Sequence, residues 1–254
     1  MKLDVNDLQA LCQVAIKAAN QAGEMIQERA GCDIVVKEKS SGSSRASQIV
    51  TEVDLMSQEM ILKHIHPTCE EYDLGLLIEE SDDDLSRFEK DYFWCIDPLD
   101  GTLSFVEQQP GYSVSIALVS RGGNSCLGVV YDPITQTLYY AIKGLGIFRN
   151  EKAWDWKPNF NGTYEEIHCG GAVMNACWVL ENAPAYFVKR PKIQEGGGCL
   201  WDYAATVCLF EEAGAMVSDS HGNSLDLNSS DSVFMNHTGV FYASHREIAE
   251  ELKS

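Results

Sequence analysis

The sequence predicts a mixed α/β fold, on three observations. Apolar residues recur at helical spacing near the N-terminus, strand-like apolar runs fill the middle, and helix and strand patterns alternate after Gly144. In order along the chain, Leu8, Leu11, Cys12, Ala15, Ala18, Ala19, Ala22, Met25 and Ile26 form one face of a long amphipathic helix. A serine-rich loop, Glu38 to Gln48, follows. Val50-Thr51-Glu52-Val53-Asp54 ends an extended stretch and begins a helix over Leu55 to Ile65, so Asp54 sits near a helix start. Leu76-Leu77-Ile78 is a short strand that runs into Glu79-Glu80, and Phe93-Trp94-Cys95-Ile96 is a buried strand ending at Asp97. Ser113–Val119, Leu127–Tyr131 and Leu138–Ile142, separated by turns at Arg121–Asn124 and Asp132-Pro133, read as an antiparallel meander. Helices near Ala172–Leu180 and after Asp202, the second stopped by Gly214, and a strand at Val240–Ala243 complete the chain.

At 254 residues with 45% hydrophobic content the chain can bury a full core, as one unit or two abutting lobes. The expected division is a lobe of residues 1–145 with the antiparallel sheet and a smaller α/β lobe of residues 146–254. A net charge of −19 argues against a nucleic-acid polymer or an anionic membrane as partner. It would also repel a phosphorylated substrate unless bound divalent cations offset it locally. No stretch is apolar and long enough to span a bilayer, and the N-terminus lacks the pattern of a signal peptide, so a cytoplasmic location is expected. The nine cysteines show no C-x-x-C spacing and read as reduced residues, several of them in the core.

The most informative stretch is Asp97-Pro98-Leu99-Asp100-Gly101-Thr102. Pro98 turns the backbone so that Asp97 and Asp100 can converge beside the Leu99 carbonyl. Hard oxygens so arranged suit Mg²⁺. Gly101 lets an anion approach the backbone, and Thr102 can open a helix whose first N–H groups bind phosphate. The same residues also suit an Asx-Pro turn and a helix cap. Asp54 and Asp202 likewise suit N-caps, and Glu79-Glu80 with Ser81-Asp82-Asp83-Asp84 suits a solvated acidic face.

Taken together, these residues resemble the lithium-sensitive, Mg²⁺-dependent phosphatases of the inositol monophosphatase superfamily, which includes fructose-1,6-bisphosphatases and 3'(2'),5'-bisphosphate nucleotidases. Asp97–Thr102 and Trp201-Asp202-Tyr203-Ala204-Ala205 match its two signatures. Thr51–Asp54 and Glu79-Glu80 match two further motifs in the expected order, and the likeness spans nearly the whole chain. The resemblance implies a sandwich of alternating helix and sheet layers. It implies that Glu79, Asp97, Asp100, Asp202 and the Leu99 carbonyl hold two or three Mg²⁺ ions. Asp54 and Thr102, with Glu79, would orient and deprotonate the attacking water, while Asp100, Gly101 and Thr102 engage the phosphate. A homodimer is a further expectation of the family.

The chain departs from the family pattern at Ile78, Thr206 and Ala215, where glycine is usual, and in a shortened segment from Asn150 to Gly170. For substrate, Ala172 matches a residue that lines the inositol pocket. Glu195 stands at the spacing before Asp202 of a residue that binds inositol hydroxyls. These favour an inositol or similar sugar monophosphate. The basic run Lys189-Arg190-Pro191-Lys192 supports the alternative of adenosine 3',5'-bisphosphate, whose second phosphate it would hold. A non-catalytic phosphate-binding relative is the reading of another class, disfavoured by the complete set of carboxylates. A Ca²⁺-binding role for Ser81–Asp84 lacks EF-hand spacing.

Overall fold

The computed structural model describes residues 2–32, 36–38, 49–196 and 198–253. From residue 39 onward the serine-rich loop lies outside the described residues. The elements in chain order are α1 (Val5–Arg29), β1 (Val36–Glu38), β2 (Ile49–Thr51), α2 (Glu52–Glu71), β3 (Gly75–Ile78), α3 (Ser86–Glu89) and β4 (Tyr92–Asp100). Then come α4 (Thr102–Val106), β5 (Ser113–Ser120), β6 (Ser125–Asp132), β7 (Thr137–Ile142), β8 (Gly146–Arg149), β9 (Lys152–Ala153) and β10 (Glu165–Glu166). The chain closes with α5 (Ala172–Glu181), β11 (Ala185–Lys189), α6 (Leu200–Ala213), β12 (Met216–Ser218), β13 (Val240–Ala243) and α7 (Arg246–Lys253).

Helix α1 begins where the Asp4 carboxylate accepts hydrogen bonds from the N–H groups of Asn6 and Asp7, and the Asp7 carboxylate accepts one from the Asp4 N–H, a reciprocal cap. Its buried stripe is the predicted one, with Leu11, Cys12, Ala18, Ala19, Ala22 and Ile26 fully enclosed. That stripe and α2 cover one face of a seven-stranded sheet of order β3-β4-β5-β6-β7-β8-β9. β3 and β4 are parallel, and the rest is the predicted antiparallel meander, which continues through β8 and β9. α5 and α6 cover the other face, and a four-stranded sheet of order β10-β11-β13-β12 closes over them. Because α5 and α6 lie between two sheets, they are apolar nearly all round, where α1 needs only a stripe. With α7 against β13, the layers alternate helix, sheet, helix, sheet, helix. This is the expected layered α/β sandwich.

Two local readings change. Strand β4 does not end at Ile96 but runs on to Asp100, with the β5 register shifting between Asp97–Ser115 and Asp100–Ser113. The extra residue is a bulge, and Pro98, which has no N–H to give a ladder, fits there. The acidic run is not simply solvated. Asp83 Oδ2 accepts from Arg87 Nε at 2.7 Å, and the buried Arg87 also donates to Asn228 Oδ1 at 2.7 Å and Ser229 O at 3.0 Å. The shortened segment holds the brief strands β9 and β10 with no helix between them.

Candidate active site

The site forms where β3, the β4 bulge and the first turns of α2, α4, α5 and α6 meet. Thr51 caps α2, and Asp54 is the third helical residue, not the cap. Asp54 Oδ2 accepts from the Thr51 N–H at 2.8 Å and the Thr51 hydroxyl at 2.6 Å, which leaves Oδ1 to accept from Thr102 Oγ1 at 2.9 Å. Thr102, the first residue of α4, also has its hydroxyl 3.1 Å from the Leu99 carbonyl. Ser57 of α2 donates to the Pro98 carbonyl at 2.7 Å and so ties the bulge to that helix.

Asp202 occupies the same place in α6 that Asp54 does in α2. Cys199 is the cap residue, and the Cys199 N–H donates to Asp202 Oδ2 at 2.8 Å. The bulge turns Asp97 and Asp100 toward it. One carboxylate oxygen from each of Asp97, Asp100 and Asp202 lies within 4.8 Å of the others. Asp100 also accepts from the Ala172 and Val173 N–H groups at 3.2 and 3.0 Å, so it closes the N-terminus of α5. The approach is close enough to require glycine. A Cβ on Gly171 would stand 2.2 Å from Asp100 Oδ2, and one on Gly101 2.4 Å from the Gly111 carbonyl.

The electrostatics follow from this crowding. Burial first, and then the charges of Glu79, Asp100 and Asp202, hold the Asp97 carboxyl well above its ordinary range. Asp100 is raised by burial and by Asp202, with Val173 and Lys189 pulling the other way. Asp202 is pushed up to about 6 by burial and Glu79, against the Cys199 N–H and Lys189. Asp54 is also pushed up to about 6, by burial and then by Glu79, although the bonds from Thr51 and Thr102 oppose it. Glu79, just past β3, is thus the charge felt at all four aspartates. So many carboxylates in one enclosed place are costly without cations, and an all-oxygen donor set fits Mg²⁺ or another hard divalent ion.

The other expected positions fall as follows. Ala172 touches the cluster through its N–H, which is spent on Asp100, and its side chain is buried. Glu195 is exposed on the loop before α6 and stands outside the group of converging aspartates. Lys189, at the end of β11, is near enough for its positive charge to oppose the rise at Asp100 and Asp202. Among the departures, Ile78 is buried in the core under α1 and α2. Thr206 is fully enclosed, its hydroxyl donating to the Tyr203 carbonyl and paired with Tyr242 Oη, both at 3.0 Å. Gly214 alone takes the left-handed conformation that stops α6, so Ala215 needs no glycine. Sequence reasoning did not single out Ser113 and Ser115, which face Asp100 and Asp97 across the ladder. Their only signal is their position in a strand whose register the bulge sets.

Comparison with known proteins gives the family and the fold. The sequence model of the inositol monophosphatase family matches residues 7–160 and 157–254. The chain belongs to the inositol monophosphatase family. Among curated relatives, the fructose-1,6-bisphosphatase/inositol-1-monophosphatase of Thermotoga maritima is 32% identical over 213 residues, 74% of this chain and 78% of that one. The Nus factor SuhB of Escherichia coli is 28% identical over 238 residues, 84% of this chain and 86% of that one. A solved IMPase from Thermotoga maritima superimposes with a TM-score of 0.77 at 25% identity, covering 96% of each chain. Family membership and the layered fold are therefore as the resemblance implied.

Proposed function

We propose that this chain is a divalent-cation-dependent phosphomonoesterase acting on a small sugar or cyclitol monophosphate such as inositol 1-phosphate. The observation that carries the reading is the convergence of Asp97, Asp100 and Asp202 beside the hydrogen-bonded pair Thr102 and Asp54. Asp97, Asp100, Asp202, Glu79 and the Leu99 carbonyl would hold Mg²⁺, two or three ions by family likeness. Bound there, Mg²⁺ would lower the pKa of water and offset the charge of the phosphoryl group in an in-line displacement.

The protein's own part lies in proton handling and orientation. With its hydroxyl proton donated to Asp54, the Thr102 oxygen keeps its lone pairs and can accept from the attacking water. Asp54, which accepts the Thr102 hydroxyl, would take the proton through Thr102, while Glu79 would steady the same water. The first N–H groups of α4, at Gly101 and Thr102, have no helical carbonyl to pair with and would hold phosphate oxygens. Glu195 would accept hydrogen bonds from ring hydroxyls. None of the nine cysteines is in a disulfide, which suits a reducing, cytoplasmic setting, and among the described residues no helix is long and apolar enough to cross a membrane. Inhibition by Li⁺ is a further expectation of this reading.

A second reading has one observation in its favour. The charge of Lys189 reaches Asp100 and Asp202, which suits a substrate with a second phosphate such as adenosine 3',5'-bisphosphate. The decisive assay is phosphate release from inositol 1-phosphate and p-nitrophenyl phosphate, with Mg²⁺ and with excess chelator. Turnover with Mg²⁺ and none in chelator is expected. Full activity in chelator would overturn the reading, and uptake of phosphate ligands without turnover would make the chain a binding protein.

A further inference from the structure

Two serines of β5 lie opposite the aspartates of the bulge. Asp97 pairs with Ser115 and Asp100 with Ser113, and residues directly opposite on a ladder present their side chains to the same face. That face looks toward α6, because Ser115 Oγ donates to the Trp201 carbonyl at 3.3 Å. Ala117 and Val119, further along the same face, pack in the core shared with α5 and α6. Ser113 therefore stands across the bulge from Ser115, opposite Asp100 and on the face that looks toward α6. It is completely enclosed at 0% exposure, yet among the described residues its Oγ has no hydrogen-bond partner.

Other buried hydroxyls of the core and site do not share this condition. Ser57 is bonded to the Pro98 carbonyl, Thr102 to Asp54, and Ser125 to the Ala204 carbonyl. A buried hydroxyl left unpaired costs stability, and alanine at that place would not. The acceptor opposite Ser113 is Asp100, whose two oxygens take the Ala172 and Val173 N–H groups. A carboxylate has room for about four hydrogen-bond or metal contacts, so two remain.

We infer that Ser113 is a positioning residue of the cation site, its hydroxyl donating to Asp100 and orienting that carboxylate when the acidic group holds Mg²⁺. The inference rests on the reading of Asp97, Asp100 and Asp202 as cation ligands. Outer hydrogen-bond partners of metal ligands typically govern affinity by about 10–100-fold.

The test is calorimetric titration of Mg²⁺ into the full chain, in the presence of inorganic phosphate, for wild type, Ser113→Ala and Ser113→Cys. The cysteine variant keeps the approximate volume but is a weak donor. Both variants should raise the Mg²⁺ Kd about tenfold. In chelator the Tm of Ser113→Ala should equal or exceed that of wild type, since an unpaired buried hydroxyl has been removed. Wild-type Mg²⁺ affinity in both variants overturns this proposal alone. A marked fall of Tm in chelator without a change of Kd does so too, since it marks a merely structural role. A wild-type protein that takes up no Mg²⁺ overturns the underlying cation reading as well.

Discussion

Thr102 Oγ1 stands 2.9 Å from Asp54 Oδ1, and this one bond joins the first turns of two helices whose partners are 48 residues apart. Thr51 occupies the other Asp54 oxygen twice, so the carboxylate is fixed in orientation before any substrate arrives. Thr102→Val keeps the shape of the side chain and removes the hydroxyl. It should lower kcat by roughly 10²–10⁴-fold, the usual range for a lost acid–base group, while Thr102→Ser retains most activity. Circular dichroism should show an intact fold in both. Near wild-type kcat in Thr102→Val would remove Thr102 from the proton path.

Asp100 and Asp202 have distinct second duties, and this separates their asparagine variants. Asp100 closes α5 through Ala172 and Val173, and Asp202 accepts from the Cys199 N–H at the start of α6. Asp202→Asn retains an acceptor for Cys199, so its stability should change by less than about 1 kcal/mol. Asp100→Asn has only one carbonyl oxygen for two N–H donors and should lose on the order of 1 kcal/mol. Both should lose turnover by orders of magnitude if they are cation ligands. Near wild-type turnover in both would refute that assignment and leave the two residues as helix caps.

The same carboxylates predict how stability responds to pH in metal-free protein. Asp54 and Asp202 are raised from the ordinary carboxylate value to about 6, and Asp97 and Asp100 are raised as well. Between about pH 4 and 6 the folded state binds more protons than the unfolded chain, so stability falls as pH rises through that window. In chelator, Tm should be higher near pH 5 than near pH 7. Adding Mg²⁺ should raise Tm more at pH 7, where the ligands are ionised and the cation relieves their repulsion. Melting curves across that range, with and without Mg²⁺, settle the point; a chelated protein that gains stability from pH 5 to 7 contradicts it.

How much of this was legible in the sequence depends on whether a feature is local. The α1 stripe, the meander and the α6 stop at Gly214 follow from spacing and turn residues, and the structure has them. The bulge does not, because Phe93–Ile96 looks complete without Asp97–Asp100, and only pairing with Ser113 and Ser115 extends the strand. Nor does the bond from Ala172 to Asp100, which spans 72 residues. Short strands such as β9 and β12 give too few residues for a period to show. Arg87 gave no signal of burial, since Asn228 and Ser229, its partners with Asp83, lie far along the chain. The motifs made the converging aspartates legible because each is a short run at an element end; the loops at Glu195 and Lys189–Lys192 carry no comparable pattern.

Two charges of opposite sign make the proposed substrate preference testable. Glu195, exposed before α6, would accept hydrogen bonds from the ring hydroxyls of inositol 1-phosphate and repel a second phosphate. Lys189, whose charge reaches Asp100 and Asp202, would attract one, with Arg190 and Lys192 beside it in sequence. Values of kcat/KM for inositol 1-phosphate and adenosine 3',5'-bisphosphate, in wild type and Glu195→Gln, weigh the two directly. Wild type should prefer the inositol substrate. A hydrogen bond to a charged group is worth about 1.5–3 kcal/mol, so Glu195→Gln should lower that preference by roughly 10–100-fold. The variant should leave the bisphosphate unchanged or improve it, because a repelling charge has gone. A wild-type preference for the bisphosphate that vanishes when Lys189, Arg190 and Lys192 are neutralised would reverse the assignment while leaving the phosphatase reading in place.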